Sequence, residues 1–179
     1  MVSGDQKIRP EYEAHGVAGF YERFGATYKN PHEPQIRALL ERLIPEWQLD
    51  LSNVLDLACG SGEVSSVILS HGGNVTGVDP FTFEAYQART GLEAERWTFE
   101  DIADGVLEDR RFELVVCSFA LHLVEVSRLP MVAFQLAQTA ETLLVLTPHK
   151  RPNLKADWGW KLEAEVLEAR VRARLYSRA

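Results

Sequence analysis

The chain has 179 residues, 46% of them hydrophobic and 25% charged, with a formal net charge of -7. That length suits one domain around a single core, the apolar content excludes a disordered or fibrous chain, and the acidic balance gives no electrostatic support for a nucleic-acid partner. Met1 to Gly16 holds no apolar block of the signal-peptide kind, and no run reaches the ~18 apolar residues of a membrane span, so the expectation is a cytoplasmic protein with no membrane partner.

Two stretches near the start, Pro10 to Phe24 and Glu33 to Leu43, have helical apolar spacing. Between them lies the breaker-rich Tyr28-Lys-Asn-Pro-His32, where Tyr28, Asn30 and His32 suit either a plain turn or a lid over a site. Tyr12, His15 and Tyr21 share one helical face, the pattern of a core stripe or of a substrate-facing cage.

From Asn53 onward, strand and helix patterns alternate. Asn53 to Ala58 reads as a buried strand, Glu63 to His71 as a helix stopped by Gly72-Gly73, and Asn74 to Asp79 as a second strand. Pro80 to Arg89 reads as a helix opened by proline and Glu95 to Phe99 as a third strand. Phe112 to Ser118 is predicted as strand four, Ser127 to Ala137 as a helix, and Glu141 to Thr147 as strand five, ended by Pro148. Runs such as Leu114-Val-Val116 and Leu143-Leu-Val-Leu146 are apolar without interruption, as strands covered on both faces of a parallel, doubly wound α/β sheet must be.

The tail is different. Trp160 to Val166 and Val171 to Tyr176 alternate apolar and charged residues, which predicts an antiparallel hairpin, with a solvated basic helix over Leu162 to Leu175 as the alternative. Arg170, Arg172 and Arg174 read as one exposed strand face. The stretch from Pro148 to Gly159 leaves little room for another helix, so a pocket in this chain would be roofed mainly by the N-terminal segment.

The strongest chemical signal is Val54-Leu-Asp-Leu-Ala-Cys-Gly-Ser-Gly62, a strand running into a turn where Gly60 and Gly62 let a ligand approach bare backbone before the next helix opens. Asp79 follows Gly60 by 19 positions, near the ~20 expected of a carboxylate that binds ribose hydroxyls. Asp56, at the end of strand one, would be a poor neighbour for a pyrophosphate and a good one for a cationic ligand. Cys59 in the turn and Cys117 in an apolar run suit two reduced thiols, and no CxxC or HxxxH spacing supports a metal.

Asp56-Leu-Ala-Cys-Gly-Ser-Gly62 resembles the first motif of class I, Rossmann-like S-adenosylmethionine-dependent methyltransferases, with Ala58 departing at the first glycine. The resemblance covers Asn53 to Thr147. It implies that Asp56, Ala58, Cys59, Gly60, Ser61 and Gly62 surround the methionine part of S-adenosyl-L-methionine, that Asp79 beside Pro80 holds the ribose, and that Glu100, Asp101 and Ile102 meet the adenine. Cys117-Ser118-Phe119-Ala-Leu-His122 is similar to the fourth motif of small-molecule members and lacks the Asn/Asp-Pro-Pro-aromatic form of nucleic-acid amino methyltransferases.

The implied fold is a doubly wound, mostly parallel seven-stranded sheet with helices on both faces, in a single domain. Residues 1–50 would form a helical lid segment, 51–147 the cofactor-binding core and 148–179 a closing hairpin. The implied activity is in-line methyl transfer from S-adenosyl-L-methionine, leaving S-adenosyl-L-homocysteine, to a small or medium-sized acceptor, by a monomer or homodimer without metal. His122, His149 and His32 are candidate bases for a hydroxyl acceptor, with Tyr21, Tyr28 and Asn30 near the substrate, while His149-Lys-Arg151 would suit an acidic acceptor or a solvated turn. A noncatalytic methyltransferase-like subunit, an NAD-dependent oxidoreductase and an RNA or protein methyltransferase remain as alternatives.

Overall fold

Every residue of Val54–Leu57 is buried, and this short strand, β1, has a parallel neighbour on each side: β2 (Val75–Val78) and β3 (Phe112–Ser118). The computed structural model, which describes Gly16, Gly19, Phe20 and residues 22–179, continues the sheet with β4 (Ala140–Thr147), parallel to β3. The hairpin β5 (Trp160–Glu168) and β6 (Val171–Arg178) then adds antiparallel strands, giving the order β2-β1-β3-β4-β6-β5.

The uninterrupted apolar runs are explained by a core on each face. Leu114, Val116, Leu144 and Leu146 face α1 (Glu33–Glu46) and α2 (Glu63–Ser70), which contribute Ile36, Leu39, Leu40, Val64, Val67 and Ile68. Val115, Cys117, Leu143 and Val145 face the other way, onto a cluster holding Ile102, Leu129, Val132 and Leu136. These last belong to α4 (Phe99–Ala103) and α5 (Leu129–Thr139). Successive strand residues point to opposite faces, so a strand clad on both sides shows no polar alternation.

Among the described residues the sheet has six strands, where the sequence suggests seven. Glu95 makes a single parallel bridge to Val78, with the Asp79 N–H donating to its carbonyl at 2.9 Å, and the chain then leaves the sheet. The reason is a capping box: the Thr98 side chain accepts from the Asp101 N–H, the Asp101 carboxylate accepts from the Thr98 N–H, and α4 starts at Phe99. The helix expected from Pro80 is α3 (Phe83–Thr90), delayed because the Asp79 carboxylate holds the N–H groups of Phe81 and Thr82 in a turn.

The hairpin turns on Ala169 and Arg170, both at positive φ (46° and 67°), as a two-residue turn matching strand twist requires. The expected exposed arginine face does not form. Arg170 is in the turn, and Arg174 is only 3% exposed, covered by the segment that follows β4. Its guanidinium donates to the Glu165 carboxylate and to the carbonyls of Pro152 and Lys150, both at 2.7 Å.

Gly77 in β2 is demanded by close approach: a Cβ there would lie 2.5 Å from the ring of Tyr86, which is fully buried. Gly77→Ala is expected to cost about 1–3 kcal/mol through overpacking, read as a lower midpoint of thermal or denaturant unfolding. An unchanged midpoint would show that the ring has room to retreat.

Candidate functional site

A cavity of about 250 Å³ opens at the carboxyl ends of β1, β2 and β3. Its floor is the turn that follows β1. Ala58, Gly60 and Gly62 all take positive φ (56°, 57° and 87°), which bends the chain sharply enough for α2 to begin at Glu63. The Thr82 hydroxyl donates to the Gly60 carbonyl at 2.7 Å, and the Gly60 N–H donates to Asp79 Oδ2 at 3.2 Å.

Asp56 lines the cavity yet is 1% exposed. Its Oδ2 accepts from the Ser65 N–H at 3.1 Å and the Ser65 hydroxyl at 2.7 Å, and that hydroxyl lies 3.0 Å from the Tyr86 hydroxyl. Oδ1 is buried with no partner. Burial above all, opposed by the Ser65 bonds and reinforced by Glu63 and Asp79, pushes the Asp56 carboxyl up to about 7. Burial also raises the Cys59 thiol and keeps it protonated.

Asp79 and Pro80 line the same cavity. Asp79 Oδ1 already accepts from Phe81 and Thr82, at 2.8 and 2.9 Å, while Oδ2 has the one longer contact from Gly60. Ser118 and Phe119, after β3, form the opposite wall, and Ser118 Oγ is a second buried polar atom without a partner. Phe119 has φ 56°, a left-handed conformation that costs energy for a bulky side chain and turns its ring onto that of His32, 4.9 Å away.

Several sequence candidates fall elsewhere. Asp101 is committed to the capping box, its carboxyl held low foremost by the Thr98 backbone, and Ile102 is 1% exposed in the core. Neither lines the cavity, although Glu100 beside them does. Ser61 and Gly62 do not line the cavity either: Ser61 donates to Glu63, and Gly62 serves as the α2 cap. His122 and His149 pair with ring centroids 4.5 Å apart, outside the cavity. Burial, then His149, pushes His122 down to about 4, and its Nδ1 is buried without a partner.

Tyr28 and Asn30 reach the rim, with the Asn30 N–H donating to Glu63 Oε1 at 3.3 Å. Their segment is fixed at both ends. A Cβ on Gly25 would collide with the Phe81 carbonyl oxygen, and Glu33 pairs with Arg89 through two contacts, at 2.7 and 3.1 Å. Tyr12, His15 and Tyr21 lie outside the described residues. Of the N-terminal roof that the sequence suggests, Tyr28 and Asn30 are the described contributors; Trp97, Phe99, Phe119 and Leu123 supply most of the apolar wall.

The residues missed by sequence reasoning are chiefly Glu63, Phe81, Trp97 and Leu123. Glu63 carries a readable signal, an acid directly after the second glycine at the first position of a helix. Taken together, the described lining holds four carboxyl groups (Asp56, Glu63, Asp79 and Glu100) and no lysine, arginine or histidine. Such a site repels phosphates and favours a ligand with positive charge.

A family model described as a methyltransferase domain matches residues 54–141, from the first residue of β1 into β4. An uncharacterized protein of Schizosaccharomyces pombe, C17A5.05c, is 37% identical over 196 aligned positions, covering 86% of this chain and 79% of that one. Among solved structures, magnesium protoporphyrin IX methyltransferase from Synechocystis PCC 6803 with bound SAM superposes with a TM-score of 0.64 at 16% identity, covering 100% of both chains. N-methyltransferase NodS from Bradyrhizobium japonicum WM9, in complex with S-adenosyl-L-homocysteine, gives 0.67 at 14% identity, covering 88% of this chain and 96% of that one. The two superpositions speak to the fold, and the family-model match runs through the glycine turn and its acidic flanks. On the sequence match, the sheet and the turn together, residues 54–141 belong to the methyltransferase-domain family, in a chain with the class I, Rossmann-like methyltransferase fold.

Proposed function

We propose that this protein transfers a methyl group from S-adenosyl-L-methionine to a small or medium-sized acceptor, with residues 1–179 acting as one domain. The observation that carries this reading is the buried, unpartnered Asp56 Oδ1 in a cavity whose described lining holds four carboxyl groups and no lysine, arginine or histidine. An ammonium group would supply the missing donor, and a sulfonium adds positive charge that the same lining favours. Ser118 Oγ, also unpartnered, offers a second acceptor on the facing strand end.

Asp79 Oδ2, with one backbone contact at 3.2 Å, keeps acceptor capacity for a ribose hydroxyl. Phe99 and Trp97 offer apolar surface to an aromatic ring. When bound, S-adenosyl-L-methionine supplies a methyl group already activated for displacement. The chain's task is then to align donor and acceptor and to exclude water, for which Phe119, Ala120 and Leu123 provide the apolar wall. Because His32, His122 and His149 stand beside the cavity and do not line it, the arrangement favours an acceptor that needs positioning more than deprotonation. With Arg174 buried and Arg170 in a turn, no basic strand face among the described residues supports a nucleic-acid acceptor.

Titration calorimetry with S-adenosyl-L-methionine and S-adenosyl-L-homocysteine tests the cofactor, with saturable uptake of both expected. A metabolite extract incubated with methyl-labelled cofactor then tests transfer, and label should appear in a low-molecular-mass product. Uptake without any labelled product would turn the reading toward a noncatalytic subunit, and no uptake would end it.

A further inference from the structure

We infer that binding of the cofactor is coupled to loss of one proton from Asp56, whose carboxyl exchanges that hydrogen for the ligand's ammonium group. The inference rests on the cofactor proposed above and adds a chemical event that the contact alone does not require.

The two oxygens of the Asp56 carboxyl are unequally served. Oδ2 is satisfied by two donors from Ser65, whereas Oδ1, equally buried, has none. An ionised carboxyl in this setting carries a buried negative charge with an empty acceptor, which is costly. A protonated one, with its hydrogen on Oδ1, carries no buried charge and so avoids the larger of these costs.

The surroundings offer no compensation. From α2 come Glu63 and the neutral Ser65; after β2 comes Asp79; from the turn, the Cys59 thiol; from α3, the Tyr86 hydroxyl, reached through Ser65; and from β3, the Cys117 thiol. None is a cation. Burial is the largest cause raising the Asp56 carboxyl, with Glu63 and Asp79 adding to it, and the group sits at about 7.

An ammonium entering the cavity reverses this balance. It donates to Oδ1 and pairs the charge, so the carboxylate becomes the favoured form and the displaced proton passes to solvent. No bond in the cofactor changes at this step. Direction follows from linkage: below about pH 7 the unliganded protein holds the proton, so binding releases it and affinity falls on acidification.

Calorimetric titrations at pH 6.0 in phosphate and in imidazole give the proton count from the change of observed heat with buffer ionisation enthalpy. At that pH the ligand's own α-amino group, with an ordinary value of about 7.7–8.0, stays charged. The expected result is release of about 0.9 proton per S-adenosyl-L-methionine at pH 6 and about 0.4 at pH 7, where the ligand's amino group takes up about 0.1 on binding, with binding about fivefold weaker at pH 6 than at pH 7. S-Adenosyl-L-homocysteine, which keeps the ammonium, should release the same number, and 5′-methylthioadenosine, which lacks it, none.

In Asp56→Asn the release should vanish, with circular dichroism and thermal melting showing the variant to be folded. Should that variant fail to fold or to bind, the comparison with 5′-methylthioadenosine on the wild-type protein decides. Saturable binding of S-adenosyl-L-methionine at pH 6 without proton release overturns the inference and leaves the cofactor reading standing. Release that persists in Asp56→Asn, or that 5′-methylthioadenosine also provokes, overturns it as well. Absence of binding by all three compounds overturns the cofactor reading and this inference with it.

Discussion

Arg174→Ala is expected to destabilise the protein by about 3 kcal/mol, seen as a fall of roughly 6–12 °C in the thermal midpoint. The side chain is 3% exposed and satisfies three acceptors at once: the Glu165 carboxylate and the carbonyls of Lys150 and Pro152. Its removal leaves two carbonyls without a donor and the Glu165 carboxylate with only Arg172 of its two cations. Glu165 is partly exposed, so water recovers some of its share, which is why the expectation stays below that for a fully buried pair. Arg174→Lys should recover only part of the loss, because one ammonium cannot reproduce the planar fork that reaches two carbonyls and a carboxylate. A change under 1 kcal/mol in the alanine variant would mean that the segment after β4 is held by other contacts.

Asp79→Ala is the second large effect. Three N–H groups, those of Gly60, Phe81 and Thr82, lose their acceptor, and the turn under the cavity keeps only the Thr82 hydroxyl of the two ties to the start of α3 that Asp79 and Thr82 provide. We expect a stability loss of about 1–3 kcal/mol and, through the proposed ribose contact, cofactor affinity about 10- to 100-fold weaker. Asp79→Asn, which keeps one carbonyl acceptor, should separate the two: the fold is largely restored while affinity recovers less. Calorimetry on both variants reads this directly, and wild-type affinity in the alanine variant would remove Asp79 from the cofactor site.

The central sheet is legible in the sequence because two-sided burial leaves a plain signature. Leu114-Val-Val116 and Leu143-Leu-Val-Leu146 have no polar interruption, and β3 and β4 fall where these runs lie. Glu95 to Phe99 misleads for an identifiable reason. Its aromatic residues suit a strand, but Thr98-Phe-Glu-Asp101 also carries a helix-capping pattern, and the cap wins once Trp97 finds no second face to cover it, at 40% exposure. The buried Arg174 is hidden from sequence because whether an alternating strand faces water depends on what crosses above it, here the segment carrying Lys150 and Pro152. For the cavity, spacing alone finds Asp56, Gly60 and Asp79, which sit in or beside one turn. Trp97 and Leu123 come from loops whose course is set by tertiary packing, and no local pattern announces them.

The rim segment has a further consequence for what enters the cavity. Gly25 lies flush on the Phe81 carbonyl and Glu33 is forked to Arg89, so the short stretch between them is a strap buckled at both ends. Tyr28 and Asn30 ride on that strap, and its brevity limits how far they can swing without unfastening a buckle. Guests of increasing girth should therefore meet a threshold in size and not a gradual penalty, and loosening either fastening would move that threshold upward.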